Sequence, residues 1–363
     1  MATKRSSQSN SSPTLSDVTA VGRDVLKYGV ILLFSYMVLK VLIGSLVNYW
    51  RATHPEPPPP PTVGFGKLPS LEFPQEYEKA RPDSYKLETA KGRFPSFPDR
   101  AKVYLMPAFS PNLLADGEVR AIARSSGFLG QPVLLDSLNY RWLLNEPLET
   151  FFEINLKSYN FSLTTDYLSR PELVGDLLSV NESFAISAVK TYLSRVNLLP
   201  SDMATSSAKV NYLKALGGEL FEAVSLSDAD FLQVDLDRIP VDGQYEMYTP
   251  NGEEGIVSAI ISGTVENRSQ IVELHNRYQP VNYNAVETYP LRSVSNAWKE
   301  LQEGGGYIAS PKNKLSEAVV RGVVLGYFDD FSEQHYLLPI YVFKGDSDFI
   351  GYVSAISSAY FQE

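Results

Sequence analysis

AVVRGVVLGYFDDFSEQHYLLPIYVFKGDSDFIGYVSAI, residues 318–356, is the most legible stretch of this 363-residue chain. Three runs dense in Val, Ile, Leu and aromatic residues, 318–328, 336–343 and 349–356, are separated by short polar segments. Enrichment of that kind, punctuated in that way, marks strands joined by turns. Just upstream, residues 293–303 set Val294, Ala297, Trp298 and Leu301 on one side of a helix that the triple glycine 304–306 ends.

The same pattern continues toward the N-terminus. KVYLM (102–106), QPVLL (131–135), NYRWLL (139–144), ETFFEINL (149–156) and YNFSL (159–163) predict strands, and Phe152, Ile154 and Leu156 alternate as one buried sheet face requires. Helices are predicted over 113–126 and over 182–197, the second opened by Asn181 and carrying Phe184, Ile186, Val189, Tyr192, Leu193 and Val196 on its apolar side. VNYLKALGGELFEAV (210–224) is a hairpin signal around Gly217 and Gly218, and FLQVDLDRI, EMYT, GIVSAIISGTVE and QIVELHNRY supply further strands. Each half mixes helices with antiparallel strands, so an α+β body of two related modules, 99–205 and 206–363, is expected.

Ahead of that body lies YGVILLFSYMVLKVLIGSLVNYW (28–50), within a helix expected over 25–50. About 20 apolar residues suffice to cross a hydrocarbon core of roughly 30 Å. The run exceeds the 7–15 residues of a signal-peptide core, and no small-residue cleavage site follows it, so an uncleaved anchor is expected. Lys4, Arg5, Arg23 and Lys27 precede the span while Arg51 alone follows it closely, a bias that puts the N-terminus in the cytoplasm and the body outside the cell membrane. Residues 1–24, rich in Ser and Thr, are expected to be a disordered tail. Residues 51–98, with prolines 57–61 favouring polyproline II, form a stalk and then an extended strap.

Within the span Tyr36, Lys40, Gly44 and Asn48 recur at four-residue spacing, giving one face a phenol, an ammonium, a flat patch and an amide. Small and polar residues of this kind mediate helix association in lipid, so these four are the candidate contact residues for another membrane protein. The alternative is a span that tolerates one lysine by tilting, with no partner.

The net charge of −10 repels phosphate backbones, so no nucleic-acid partner is expected. Cys is absent, which excludes disulfides, thiolate catalysis and cysteine zinc sites, and His54, His275 and His335 are too dispersed to predict a metal cluster. Paired acids occur at Asp235/Asp237, Glu253/Glu254, Asp329/Asp330 and Asp346/Asp348. Two carboxylates about 5–9 Å apart can hydrolyse a glycosidic bond, which makes an envelope hydrolase the alternative reading. The latter three pairs, however, fall between predicted strands where acids cap turns, and Asp235 with Asp237 suits the wet side of a strand. Gly345–Asp348 lacks the spaced ligands of a calcium loop. The sequence contains no GxSxG, GxxxxGK[ST], GxGxxG or HExxH. A non-enzyme without metal or cofactor is therefore expected. Tyr336, Tyr341 and Phe343 on one strand suggest either core packing or an exposed platform for glycan or peptide.

SVSNAWKELQEGGGYIA, AVVRGVVLGYF, LLPIYVFKG and FIGYVSAI together resemble the YycH/YycI group, in the order helix with tryptophan, glycine-rich stop, LGY strand and PIY strand. A vaguer likeness lies in IARSSGFLGQPVLLDSLNYRWL. The resemblance implies PepSY-related modules on a single-span anchor, accessory to a bacterial two-component system. It therefore implies an extracytoplasmic binding and regulatory protein that acts by protein–protein contact at the envelope. The proline stalk and the long strap depart from that group. A purely structural envelope scaffold is the third reading.

Overall fold

The structure, a computed structural model, describes residues 15–53, 60–146, 148–169, 181–252, 254–263 and 271–362. The chain divides into an N-terminal unit, 1–60, and a body, 61–363.

The N-terminal unit is built on one helix, α1 (Leu15–Thr53). Its apolar part, Val25–Trp50, runs 26 residues with no residue buried, long and apolar enough to cross a membrane. α1 begins inside the segment expected to be a disordered tail, because extending an existing helix costs far less than nucleating one. Residues 1–14 of that tail and prolines 57–59 of the stalk lie outside the described residues.

In chain order the body contains β1 (Ser84–Leu87), β2 (Arg100–Leu105), α2 (Ala115–Ser125), β3 (Val133–Leu134), β4 (Asn139–Leu144), β5 (Thr150–Asn155) and β6 (Phe161–Thr165). There follow α3 (Glu182–Arg195), α4 (Ser201–Ala204), β7 (Ala208–Leu216), β8 (Glu219–Glu222), β9 (Phe231–Leu236), β10 (Met247–Tyr248), β11 (Val257–Ser262) and β12 (Ile271–Asn276). β13 (Asn282–Pro290), α5 (Val294–Gln302), β14 (Tyr307–Ser310), β15 (Glu317–Phe328), β16 (Tyr336–Gly345) and β17 (Ile350–Ser354) complete it. This is an α+β body on large, mostly antiparallel sheets.

Nine strands form one sheet in the order β3-β4-β5-β6-β12-β11-β9-β7-β8. The eight-stranded sheet runs β1-β15-β16-β17-β14, with β10 also on β15 and β2 joining β13 to β16. β1 and β10 pair parallel to β15, the exceptions to an antiparallel pattern. The expected division at 205/206 falls inside the nine-stranded sheet, which takes β3–β6 from one side of it and β7–β9, β11 and β12 from the other.

Local sequence explains the elements. The Asn181 side chain accepts the Phe184 amide at 2.8 Å and starts α3, and Ser293 does the same for Asn296 ahead of α5. Gly217 and Gly218 take φ of 63° and 87°, the two left-handed positions of a tight hairpin between β7 and β8. Gly306 opens β14 against β17, where a Cβ would meet the Tyr352 carbonyl at 2.3 Å. α2 and α3 cover one face of the nine-stranded sheet, burying Val119, Ala123, Val189 and Leu193 against Phe152, Ile154 and Leu274. α5 buries Ala297 and Leu301 against the eight-stranded sheet. The strap lies along that second sheet: Val63 N–H donates to the Thr288 carbonyl, Leu68 bridges Phe361, and Phe73 stacks on Tyr307 at 5.2 Å. Tyr341 and Phe343 are core residues rather than a platform, and the Tyr341 hydroxyl donates to the Arg292 carbonyl.

Candidate functional site

Tyr36, Lys40, Gly44 and Asn48 all lie on α1 and all are exposed. At 100° per residue, four-residue steps advance about 40° each, so they form a slanting stripe rather than a straight row. Nothing stands within 4 Å of where a Cβ on Gly44 would sit, which leaves the helix backbone open to close approach there.

The acidic pairs separate into turn residues and buried groups. Asp346 accepts Arg321 in an exposed turn, where Ser347 and Asp348 adopt φ of 55° and 57°. Glu254 pairs with Arg277 at 2.8 Å, and Glu253 lies outside the described residues. Asp235, expected on the wet side of its strand, is fully buried: it accepts the Gly255 amide at 3.2 Å and the Gln233 side chain at 2.9 Å. Its partners come from its own strand and from the segment leading into β11, and both faces of β9 are buried, which a single strand's alternation does not foretell. Burial pushes the neighbouring Asp237 carboxyl up to about 6, with Lys209 opposing and Asp235 adding to the shift.

Asp329 corrects a second expectation. Instead of facing water in a turn, it is buried and receives both Nε (2.7 Å) and Nη2 (3.3 Å) of Arg238. Arg238 also donates through Nη1 to Asp202 at 3.0 Å and through Nη2 to the Gln279 carbonyl at 2.6 Å, with its guanidinium over the Tyr278 ring. Burial opposes its charge, but Asp329 and then Asp202 outweigh burial and raise the guanidinium pKa. Tyr278 and Tyr283 donate to Asp202, and burial pushes the Tyr278 phenol up to about 12. Gln279 and Gln334 extend the network into the turn after β15. Every member is satisfied, so this centre welds the two sheets together and leaves no group free for chemistry.

A cleft of about 500 Å³ opens where β4, β5, β6 and β12 end. Register places Asn139 opposite Asn155, Glu153 opposite Ser162, and Ser162 opposite His275. Phe109, Phe331 and Glu333 form the opposing wall. Glu333 accepts Lys157 Nζ and the Phe109 amide, both at 2.9 Å, and the lysine holds its carboxyl below the usual range. Arg141 Nε donates to Glu153 at 2.6 Å, and Arg277 lies 4.0 Å over the Phe331 ring. His275 Nε2 meets Glu273 at 2.8 Å; burial opposes ionisation of that glutamate, but the histidine contact outweighs it and lowers its pKa. A depressed carboxyl is the reverse of what a general acid needs. Among the described residues no group of three or more His, Cys, Asp and Glu could hold a metal ion. The cleft's asparagines were visible only as Asn at strand ends, in NYRWLL, ETFFEINL, YNFSL and LHNRY, and nothing in one sequence shows that those ends meet.

No family model matches the sequence, and no curated protein matches it. Among solved structures, the Bacillus megaterium YpeB C-terminal domain aligns at TM-score 0.32 and 12% identity, covering 71% of this chain and 97% of that one. An uncharacterized protein from Eubacterium rectale aligns at TM-score 0.33 and 12% identity, over 73% of this chain and 85% of its own. Likeness of that extent fixes neither ancestry nor activity.

Proposed function

We propose that this is a single-pass membrane protein whose C-terminal body faces outward and which works by binding, regulating a membrane partner through protein–protein contact at the cell envelope. The observation that carries the reading is Lys40, an ammonium inside a 26-residue apolar helix segment. A charge near the middle of a bilayer costs about 2.5–3.5 kcal/mol on insertion scales, and a polar partner helix offsets that cost better than tilting alone. Tyr36, Gly44 and Asn48 extend the same stripe with two further polar groups and a point of close approach. The basic residues Arg23 and Lys27, at the N-terminal end of the helix segment, support the outward orientation. The accessory role implied by the YycH/YycI resemblance is the finer form of this reading.

Exchange of Lys40→Leu tests it. The variant is expected to lose a co-purifying membrane partner while the body melts at the parental temperature. Equal recovery of every partner from parent and variant contradicts the proposal.

A further inference from the structure

The cleft at the ends of β4, β5, β6 and β12 holds an unexplained feature. Asn276 is only 4% exposed, lines the cleft, and its side-chain oxygen meets no donor among the described residues. The Asn160 side-chain oxygen, lining the same cleft, is likewise buried without a donor. Buried polar atoms nearly always find partners, so two orphaned amide oxygens lining one cavity leave unmet acceptor capacity there.

The chemistry of a matching donor follows from what surrounds these oxygens. Charges at the cleft are already matched within the protein: Lys157 with Glu333, Arg277 with Glu254, and Arg141 with Glu153. An ionic ligand would have to break one of these pairs, whereas a neutral one leaves them intact. An extended peptide is disfavoured as well, because β4, β5, β6 and β12 are each paired on both sides and offer no free edge for strand addition. The groups that remain are the side-chain amides of Asn160 and Asn276 and the Ser162 hydroxyl, beside the half-buried ring of Phe109. Amides match hydroxyl and acetamido groups, which both donate and accept, and an aromatic ring matches the apolar face of a sugar. The volume is that of an ordinary small-ligand pocket.

We propose that this cleft binds a neutral oligosaccharide through Asn160 and Asn276, with Phe109 as the stacking surface. The inference stands on the cleft alone and does not depend on the helix stripe.

Calorimetric titration of the full chain in nanodiscs tests it, with an N-acetylglucosamine tetramer and cellotetraose as neutral probes, and oligogalacturonate and an unstructured peptide as the other arms. Saturable heat with at least one neutral probe is expected, weakened about tenfold or more in Asn276→Ala. Phe109→Ala sits on a loop wall outside the buried clusters and should show the same weakening with an unchanged unfolding midpoint, so the test survives if Asn276→Ala fails to fold. Lys40→Leu should bind as the parent does. No saturable heat from either neutral sugar at millimolar concentration overturns the proposal. So does neutral-sugar binding that both folded variants retain, or saturation by oligogalacturonate or peptide alone.

Discussion

In the eight-stranded sheet, Leu337–Phe343 of β16 are buried on both faces and the edge of β15 is occupied by β1, a strand lent by the strap that follows the helix. In the nine-stranded sheet, β5 and β6 alternate between a face buried under α2 and α3 and a polar face toward the cleft. Its outermost strands, β3 and β8, keep Val133, Leu134 and Phe221 exposed. The first sheet buries its central strand on both faces and pairs β15 with a strand of the strap, which suits a rigid support. The second retains a polar strand-end cavity and open edges, the kind of surface on which recognition is built.

Three measurements break or sharpen this contrast. The largest effect is expected at the weld between the sheets. Replacing Arg238 with Met strands Asp202 and Asp329 as unpaired buried carboxylates, so unfolding free energy should fall by about 3–5 kcal/mol in chemical denaturation. A fall below about 1 kcal/mol would mean that the sheets hold together without the network.

The next is a pH effect. Burial raises the Asp237 carboxyl to about 6 in the folded protein, above the roughly 3.9 of an unfolded chain. The folded state therefore keeps a proton that the unfolded state has released between about pH 4 and 6. This group's contribution to stability is full below pH 4 and is lost as pH rises to 6, a decline of roughly 2–3 kcal/mol. Asp237→Asn should flatten that decline in denaturation curves taken across the window. An unchanged slope would place the carboxylate in water.

The smallest effect contrasts the edges directly. Phe73→Ala removes a strap ring that stacks on Tyr307 and meets Phe328 edge-on at 5.0 Å, and should cost about 2 kcal/mol, less than a fully buried ring. Leu134→Ser on exposed β3 should stay within about 0.5 kcal/mol of the parent. Equal costs would dissolve the distinction between a closed sheet and an open one.

Much of the secondary structure was legible in the sequence because it is written locally: Asn181 and Ser293 as helix starts, Gly217-Gly218 as a hairpin, the Val- and Tyr-rich runs of β15–β17. β13 was not, since NYNAVETYP is mostly polar and half-buried, and its pairing with β2 lies far away in sequence. β1 and β14 were missed because each is short and gains its order from β15 or β17. Asp235, inside LQVDLDRIP, reads as a solvent-facing charge, yet it is buried among Gln233 and the Gly255 amide, and Arg238 close by gave no local signal of its buried network. The cleft draws on four separated stretches, around 109, 139–162, 275–277 and 331–333, which only the assembled sheet order brings together. The helix stripe, by contrast, needs nothing but helical spacing, so it could be named from the chain alone.

Protease digestion of intact cells expressing the full chain tests the proposed placement most directly. The body from Pro61 onward is expected to be degraded while a fragment containing Val25–Trp50 survives in the membrane. A body left whole until the cells are lysed would contradict it.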